Sequence, residues 1–166
     1  RPYALQLDEA GDRLQARTIV IATGAEYRKP LLADLARFEG IGVYYAATFM
    51  EAQLCAGEEV VVIGGANSAG QAAVFLAERA RRVHILVRGS GVAATMSRYL
   101  VYRIENHPTI ELHSCTELVG VEGETHLARV RWRDSRTQVE ETRPIRHVVV
   151  MAGATPATSW VAGCLA

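Results

Sequence analysis

A run of β-branched residues that ends in two glycines constrains this chain more than any other feature. Residues 60–63 (V-V-V-I) are too few for a helix core, and Gly64 and Gly65 follow them directly. A short continuous apolar run is typical of a strand buried on both faces of a parallel sheet. The pattern predicts a buried strand, a tight turn and a helix. The apolar face of that helix begins at Ala69 and continues at Ala72, Ala73, Leu76, Ala77 and Ala80.

A second apolar strand completes a βαβ unit. Arg81 and Arg82 follow the helix, where cations suit its negative end, and residues 83–87 (V-H-I-L-V) form the next apolar run. An amphipathic helix is predicted over 94–106 and a third parallel strand over 109–112. These elements indicate a doubly wound, Rossmann-like parallel sheet.

The pattern changes after the third strand. Runs at 115–121, 126–133 and 137–142 alternate apolar or β-branched residues with charged ones, as strands of an antiparallel meander do. Residues 148–151 (V-V-V-M) predict a final buried strand. The expected fold class is therefore α/β, with a Rossmann-like parallel sheet and an antiparallel β-meander.

Turn and capping residues organise the segment before residue 60. A stretch that runs through 29–42 is punctuated by proline and glycine and predicts a linker with little regular structure. Beyond it, residues 48–54 predict a short helix. Thr48 is its expected N-cap and Glu51 occupies the capping-box position.

Two distant segments echo each other. Residues 19–25 (I-V-I-A-T-G-A) and 148–154 (V-V-V-M-A-G-A) are both apolar strands that close on a small residue, glycine and alanine. The first of them also completes a predicted hairpin formed by 3–8 and 13–22. When one domain is inserted into another, the chain crosses between them twice, at turns of small residues. The similarity of the two segments therefore indicates that the chain leaves a host domain at the first and returns to it at the second. Coincidence is an equal alternative.

The glycine-rich loop lies where a dinucleotide fingerprint must lie, between a buried strand and a helix. Its pattern is G-x-A-x-x-A, so Ala66 stands where a second glycine is usual, and its methyl group is expected to displace or weaken a bound diphosphate. Backbone N–H groups at the helix start would hold this anion. The candidate cofactor-binding residues in the loop are Gly64, Gly65, Ala66, Asn67, Ser68 and Ala69.

The end of the second strand bears on the choice of dinucleotide. NAD sites usually present a carboxylate there, about 20 residues beyond the glycines, to bind the ribose hydroxyls. Here the strand ends in Arg88, followed by Gly89 and Ser90. A guanidinium favours a 2′-phosphate by its charge and its paired donors, so NADPH is predicted over NADH. An ordinary solvated arginine is the alternative.

Composition excludes several classes of protein. Eighteen basic and 18 acidic residues cancel, without a long run of one sign that would attract nucleic acid or an anionic membrane. No apolar stretch approaches the roughly 20 residues that span a bilayer, so we expect a cytoplasmic protein. The five histidines have no metal-ligand spacing, and the three cysteines (Cys55, Cys115 and Cys164) form no C-x-x-C pair.

These motifs resemble those of the thioredoxin reductase family of flavoproteins, in which an NADPH domain is inserted into an FAD domain. Residues 19–25 resemble the family's strand that ends in A-T-G, and 61–69 its V-I-G-G-G-N-S-A. Residues 83–88 resemble V-H-L-x-x-R, and 149–156 the return strand that ends in G-x-x-P.

The resemblance implies a division of the chain and two cofactors. Residues 1–27 would end an FAD domain, 28–152 would form the NADPH-binding domain, and 153–166 would cross back into the flavin domain. NADPH would be held by the glycine-rich loop and Arg88, with Ala152 and Gly153 at the return. The implied activity is delivery of hydride from NADPH to an FAD held in the full-length parent. The resemblance leaves open whether the protein forms a homodimer.

Two departures from the family pattern matter. The family's H-R-R triplet is V-R-G here, so one phosphate-binding arginine is missing, and Ser90 or Arg98 are the candidate substitutes. The family's redox C-x-x-C should lie just before the dinucleotide strand, yet residues 43–49 read V-Y-Y-A-A-T-F. Dithiol exchange needs an attacking thiolate and a resolving sulfur, and Cys55 alone cannot supply both. The tyrosines are expected to pack where the disulfide would lie.

Two other functions compete with this interpretation. The first is a non-catalytic dinucleotide sensor, in which the missing dithiol marks a lost reductase activity. The second is a methyltransferase or a P-loop enzyme. The chain lacks the G-K-[ST] of a P-loop, and position 88 is not the carboxylate that a methyl donor's ribose would require.

Overall fold

The chain forms two compact units. The computed structural model describes residues 3–7 and 11–163. One unit comprises Arg1–Glu26 and Ala154–Ala166, and the other comprises Tyr27–Gly153. Among the residues that the structure describes, every helix is too short or too polar to cross a bilayer.

The elements follow one another in this order: β1 (Tyr3–Gln6), β2 (Arg13–Ala16), β3 (Ala25–Tyr27), a 3₁₀ helix (Leu35–Phe38), β4 (Val43–Tyr44), α1 (Phe49–Leu54), β5 (Glu59–Ile63), α2 (Asn67–Leu76), β6 (Arg82–Val87), α3 (Arg98–Glu105), β7 (Ile110–Ser114), β8 (Thr116–Glu122), β9 (Arg129–Asp134), β10 (Glu140–Arg143), β11 (His147–Val150), β12 (Ala154–Pro156) and a second 3₁₀ helix (Ser159–Val161).

A five-stranded sheet forms the centre of the larger unit. Its strand order is β4-β11-β5-β6-β7, and each neighbouring pair is parallel. Val60, Val61 and Val62 of β5 have no exposed surface, because β5 is the central strand and both of its faces are covered. The predicted α/β fold class with a parallel sheet is confirmed.

The two faces of this sheet are covered by different structures. Helices α2 and α3 pack on one face, where Ala73 and Leu76 join Val60 and Val62 in one apolar cluster. On the other face, β8, β9 and β10 form the predicted antiparallel meander, and Trp132 packs with Val61 in a second cluster. Helix α3 begins at Arg98, later than predicted, because residues 93–95 form a turn.

The prediction of a linker through residues 29–42 is wrong in part. A 3₁₀ helix forms within it at Leu35–Phe38, and Leu35 and Phe38 are almost completely buried. β4 (Val43–Tyr44) follows the stretch directly. The side chains of Leu35 and Phe38 join the cluster on the meander face of the sheet. The proline and glycine pattern marked the turns correctly, but it did not reveal that the intervening apolar side chains complete the core.

The capping prediction for the following helix is confirmed. Thr48 is the N-cap of α1, and its side chain accepts a hydrogen bond from the backbone N–H of Met50. The carboxylate of Glu51 accepts one from the backbone N–H of Thr48 at 2.7 Å. The local sequence alone specifies this helix start.

The predicted strand at residues 19–22 does not form. The hairpin is limited to β1 and β2, and Val20 is 85% exposed, because no strand lies beside this apolar segment within the described residues. Regular pairing instead begins just after the glycine, where β3 pairs with β12. The two similar segments, 19–25 and 148–154, therefore lead into neighbouring strands. The Thr23 hydroxyl also donates a hydrogen bond to the carbonyl of Ala157 at 2.7 Å.

The burial of Phe38 generates a stability prediction. Its side chain is 1% exposed, so Phe38→Ala should lower the free energy of unfolding by about 3–5 kcal/mol through lost burial and cavity formation. Leu31→Ala is the matched control in the same segment. Leu31 is fully exposed, and its truncation should change stability by less than about 0.5 kcal/mol. Urea unfolding measures both, and equal effects would contradict the packing described here.

Candidate functional site

The glycine-rich loop turns sharply at the carboxyl end of β5. Gly64 has φ +143°, and its N–H donates to the carbonyl of Leu86 in β6 at 3.1 Å. A Cβ atom at this position would lie 2.5 Å from the carbonyl oxygen of Met151 and 3.1 Å from the Cβ of Ala69. No side chain fits here, so the turn requires glycine. Ala69, a predicted cofactor residue, is fully buried and serves this packing.

Gly65 brings the loop backbone against the end of β6. A Cβ atom here would lie 2.9 Å from Cγ1 of Val87, so a side chain at this position would have to displace the buried Val87. The carbonyl oxygen of Gly65 accepts a hydrogen bond from the hydroxyl of Thr95 at 2.5 Å. The loop is therefore held between β6 and the turn that precedes α3.

The start of α2 has the properties of an anion site. Its N-cap is Ala66, which has extended backbone and no side chain that could cap the helix. The first turn contains no acidic residue, and Ala66, Asn67 and Ser68 are exposed. The first N–H groups of a helix have no partner within it and lie at the positive end of its dipole. This arrangement favours a phosphate group.

The side chain of Asn67 has a structural role that the sequence did not predict. Its Oδ1 accepts the backbone N–H of Ser97 at 2.7 Å, which ties the start of α2 to the start of α3. The two helices also approach closely at Gly70, where a Cβ atom would lie 2.8 Å from Sδ of Met96. Together with Thr95, these contacts hold the loop in place. No local signal marked Thr95 or Ser97, which lie 30 residues from their partners.

The strand after the helix ends beside the loop. Arg88 follows Val87 of β6 directly and is exposed, and it forms no ion pair with any carboxylate in the described part of the chain. The carbonyl of Gly89 accepts the N–H of Cys115 at 2.8 Å, which fixes the turn that carries Arg88 and Ser90. Ser90 is exposed as well. The structure therefore places an exposed cation at the same edge of the sheet as the α2 N-terminus.

The return segment reaches this edge from the other side. The N–H of Met151 donates to the carbonyl of Ile63 at 2.7 Å, so Ala152 follows at the end of β11, next to β5. Gly153 has φ +95°, and its carbonyl accepts the N–H of Arg28 at 2.9 Å. The structure shows where Ala152 and Gly153 lie. Their contact with a cofactor stays a prediction.

The thiol of Cys55 has a low reactivity in the folded protein. Its side chain is fully buried, and burial raises the pKa of the thiol to about 12, with further contributions from the charges of Glu51 and Glu58. A thiol with so high a pKa is a poor nucleophile at neutral pH. Cys115 is partly buried, and Cys164 lies outside the described residues.

The family resemblance places a dithiol in the segment at 43–49. In this chain the side chains of that segment form other contacts. The hydroxyl of Tyr45 donates to the carboxylate of Glu39 at 2.8 Å. Burial is the larger cause and this hydrogen bond the second cause that raise the pKa of the Tyr45 phenol to about 12. Thr48 caps α1. Side chains of this segment therefore stabilise local structure, and none of them can exchange a disulfide.

The sequence matches that of a known family over nearly its whole length. Residues 4–166 match the family described as pyridine nucleotide-disulphide oxidoreductase. Thioredoxin reductase from Dictyostelium discoideum is 28% identical over 167 residues, which cover 99% of this chain and 52% of that protein. The F component of alkyl hydroperoxide reductase from Staphylococcus aureus (strain NCTC 8325 / PS 47) is 29% identical over 153 residues, which cover 92% of this chain and 30% of that protein.

Solved structures show the same fold. Thioredoxin reductase from Giardia duodenalis superposes with a TM-score of 0.80 at 23% identity, covering 96% of this chain and 51% of that one. Lactococcus lactis thioredoxin reductase, in its FR conformation, gives a TM-score of 0.78 at 22% identity, covering 90% and 49%. This chain thus spans about half the length of the thioredoxin reductases that it matches, and 52% of the curated one.

The burial of Cys55 generates a reactivity prediction. A thiol-specific reagent at pH 8 should leave Cys55 unmodified in the folded protein, because its pKa of about 12 keeps it protonated and the fold shields it. It should react at the rate of a free thiol after unfolding in urea. Mass spectrometry of the labelled peptides measures this, with the partly exposed Cys115 as internal comparison. Labelling of Cys55 as fast as Cys115 under native conditions would contradict the burial.

Proposed function

This chain belongs to the pyridine nucleotide-disulphide oxidoreductase family, among its thioredoxin-reductase-like flavoproteins, and from that premise we propose that residues 28–152 bind NADPH. The proposal rests chiefly on one observation. A helix N-terminus with no side-chain cap and no acidic residue lies at the same edge of a parallel sheet as an exposed arginine. Ligands of α/β sheets bind outside the carboxyl ends of the strands, which is this edge.

The two phosphate-binding features correspond to the two anionic parts of NADPH. The N–H groups at the start of α2 would bind the diphosphate, whose approach is favoured by the absence of side chains at Gly64 and Gly65. The guanidinium of Arg88 would bind the 2′-phosphate by charge and by paired hydrogen bonds. Ser90 is a further donor two residues away. The exposed methyl group of Ala66 is the feature that opposes close approach of the diphosphate.

Asn67 and Thr95 contribute by holding the loop. Because the Asn67 amide oxygen already accepts the N–H of Ser97, its role is to fix the start of α2 against α3. Thr95 fixes the carbonyl of Gly65 in the same way. A loop held on both sides presents its N–H groups to an anion without a further loss of conformational entropy, which favours binding.

The flanking segments would connect this unit to a flavin domain. NADPH, when bound, supplies a hydride, and in this family's flavoproteins an FAD is its acceptor. We propose that residues 1–27 and 153–166 belong to that flavin domain in the full-length parent. In this proposal the residues described here would hold the nicotinamide nucleotide, and the flavin domain of the parent would hold the FAD.

A non-catalytic sensor is the second candidate, and one observation favours it. The chain lacks a C-x-x-C pair, and the burial and high pKa of Cys55 make the cysteine nearest to the usual dithiol position unreactive. Reduction of a disulfide substrate by the dithiol route is therefore not proposed. Hydride transfer to flavin and simple dinucleotide sensing share the same NADPH site, and they differ in whether the flavin becomes reduced.

Replacement of Arg88 tests the NADPH site directly. Arg88→Ala should weaken NADPH binding by about tenfold or more, the usual effect of losing a hydrogen-bonded charge, and should change NADH binding by less than about twofold. Isothermal titration measures both affinities. Arg129→Ala is the matched control, because Arg129 is an exposed arginine of the meander and should leave both affinities unchanged. Equal affinity for NADPH and NADH in the unaltered protein would overturn the 2′-phosphate assignment.

Flavin reduction separates the oxidoreductase from the sensor. The full-length protein, loaded with FAD and mixed anaerobically with NADPH, should lose its oxidised flavin absorbance in a rapid single-turnover reaction. NADPH binding with no bleaching of the flavin would favour the sensor. Arg88→Ala should slow bleaching at low NADPH and approach the unaltered rate at saturation, because its role is in binding.

A further inference from the structure

Two histidines and a glutamate converge on the meander face of the parallel sheet. His84 lies on β6, while Glu111 and His113 lie on β7. His84 is directly opposite Glu111 in the parallel register, and His113 follows two residues later. Because side chains two apart in a strand point to the same face, all three side chains project together. His84 is 1% exposed, and the cluster lies entirely within the larger unit.

Three potential ligand atoms form a nearly equilateral triangle. His84 Nδ1 lies 3.1 Å from His113 Nε2 and 3.3 Å from Glu111 Oε2. The third side, from His113 Nε2 to Glu111 Oε2, measures 3.7 Å. Zinc binds nitrogen and oxygen at about 2.0–2.2 Å in a tetrahedron, whose ligands are therefore roughly 3.3–3.6 Å apart. The triangle has the size of one face of such a tetrahedron.

We propose that His84, Glu111 and His113 bind a divalent transition metal ion, with Zn²⁺ as the best match. Two imidazoles and one carboxylate are ligands that suit this class of ion. The fourth coordination position would be filled by water. The ion would join β6 to β7 on the face that the meander covers. This site is independent of the proposed dinucleotide site, which lies at the carboxyl edge of the sheet.

The surrounding residues support metal binding through their own hydrogen bonds. His84 Nε2 faces Oε2 of Glu59 at 3.3 Å. If this nitrogen donates to the carboxylate, Nδ1 keeps its lone pair, which accepts from His113 Nε2 without metal and would coordinate the ion. Metal-binding histidines usually have such a carboxylate partner. Arg82 contacts the other carboxylate oxygen, Oε1, of Glu111, so Oε2 is available.

The charge around the cluster is compatible with a cation. Arg143 is the cation from the meander that faces the two histidines, and its guanidinium pairs with Glu141 at 2.6 Å. The ring of Trp132 lies 5.4 Å from both imidazole rings and forms an apolar wall. Glu111 is the most exposed of the three ligands, with 39% of its side chain accessible, and it provides the route for the ion to enter.

Titration of the full chain with Zn²⁺ and with Co²⁺ tests the site. We expect one equivalent of metal to bind in the micromolar range, with a melting temperature that rises with metal concentration. Tetrahedral Co²⁺ should give visible absorption bands without the intense near-ultraviolet bands of thiolate ligation. His113→Gln and Glu111→Gln should each weaken binding by at least about tenfold, and Glu59→Gln should weaken it by about tenfold through lost orientation of His84.

The controls make the outcome decisive. His113 and Glu111 are chosen because they are partly exposed, whereas loss of the buried His84 would itself disturb folding. His126→Gln removes an exposed histidine from the β8–β9 loop and should leave metal affinity unchanged. Absence of saturable binding would overturn the proposal. So would binding that both His113→Gln and Glu111→Gln retain, or Co²⁺ spectra with thiolate bands.

Discussion

Close backbone approach at the carboxyl edge of the parallel sheet is the constraint on which the rest of the structure depends. At Gly64 the chain passes so near the carbonyl of Met151 that a single methyl group would lie 2.5 Å from its oxygen. At Gly65 the backbone also lies close to the side chain of Val87. These two contacts set α2 directly above the end of β5, which aligns its N-terminus with the ends of β6 and β11. The proposed dinucleotide site lies at this edge.

The two faces of the sheet have different chemistry. Small residues of α2 allow the helices to pack closely on one face, and Gly70 against Met96 shows how little space separates α2 from α3. The meander face accommodates large and polar side chains, including Trp132 and the His84 cluster. A buried imidazole is tolerated there because neighbouring strands supply hydrogen-bonding groups, since an unpartnered polar group in the core would cost stability.

This chain keeps the parallel-sheet fold of its family, and its segment at 43–49 contains no C-x-x-C pair. Where a dithiol would lie, Tyr45 is hydrogen-bonded to Glu39 and Thr48 caps α1, so the segment is specified by local packing. The nearest cysteine is buried and protonated. The proposed dinucleotide site consists of the loop, the helix start and a cation, and none of these depends on sulfur. The proposed site would therefore not require a dithiol in this segment.

The sequence by itself determined the features that depend on neighbours in the chain. The strand, glycine turn and helix at 60–76 and the capping box at Thr48 are local patterns that were found where they were predicted. The meander strands formed with bounds shifted by up to three residues from their predicted runs. Only the tertiary structure decided which distant residues meet. The burial of Phe38, the bond between Asn67 and Ser97, and the triangle around His84 join segments with no shared local signal. The apolar segment at 19–22 shows the converse, because a strand needs a partner as well as a suitable sequence.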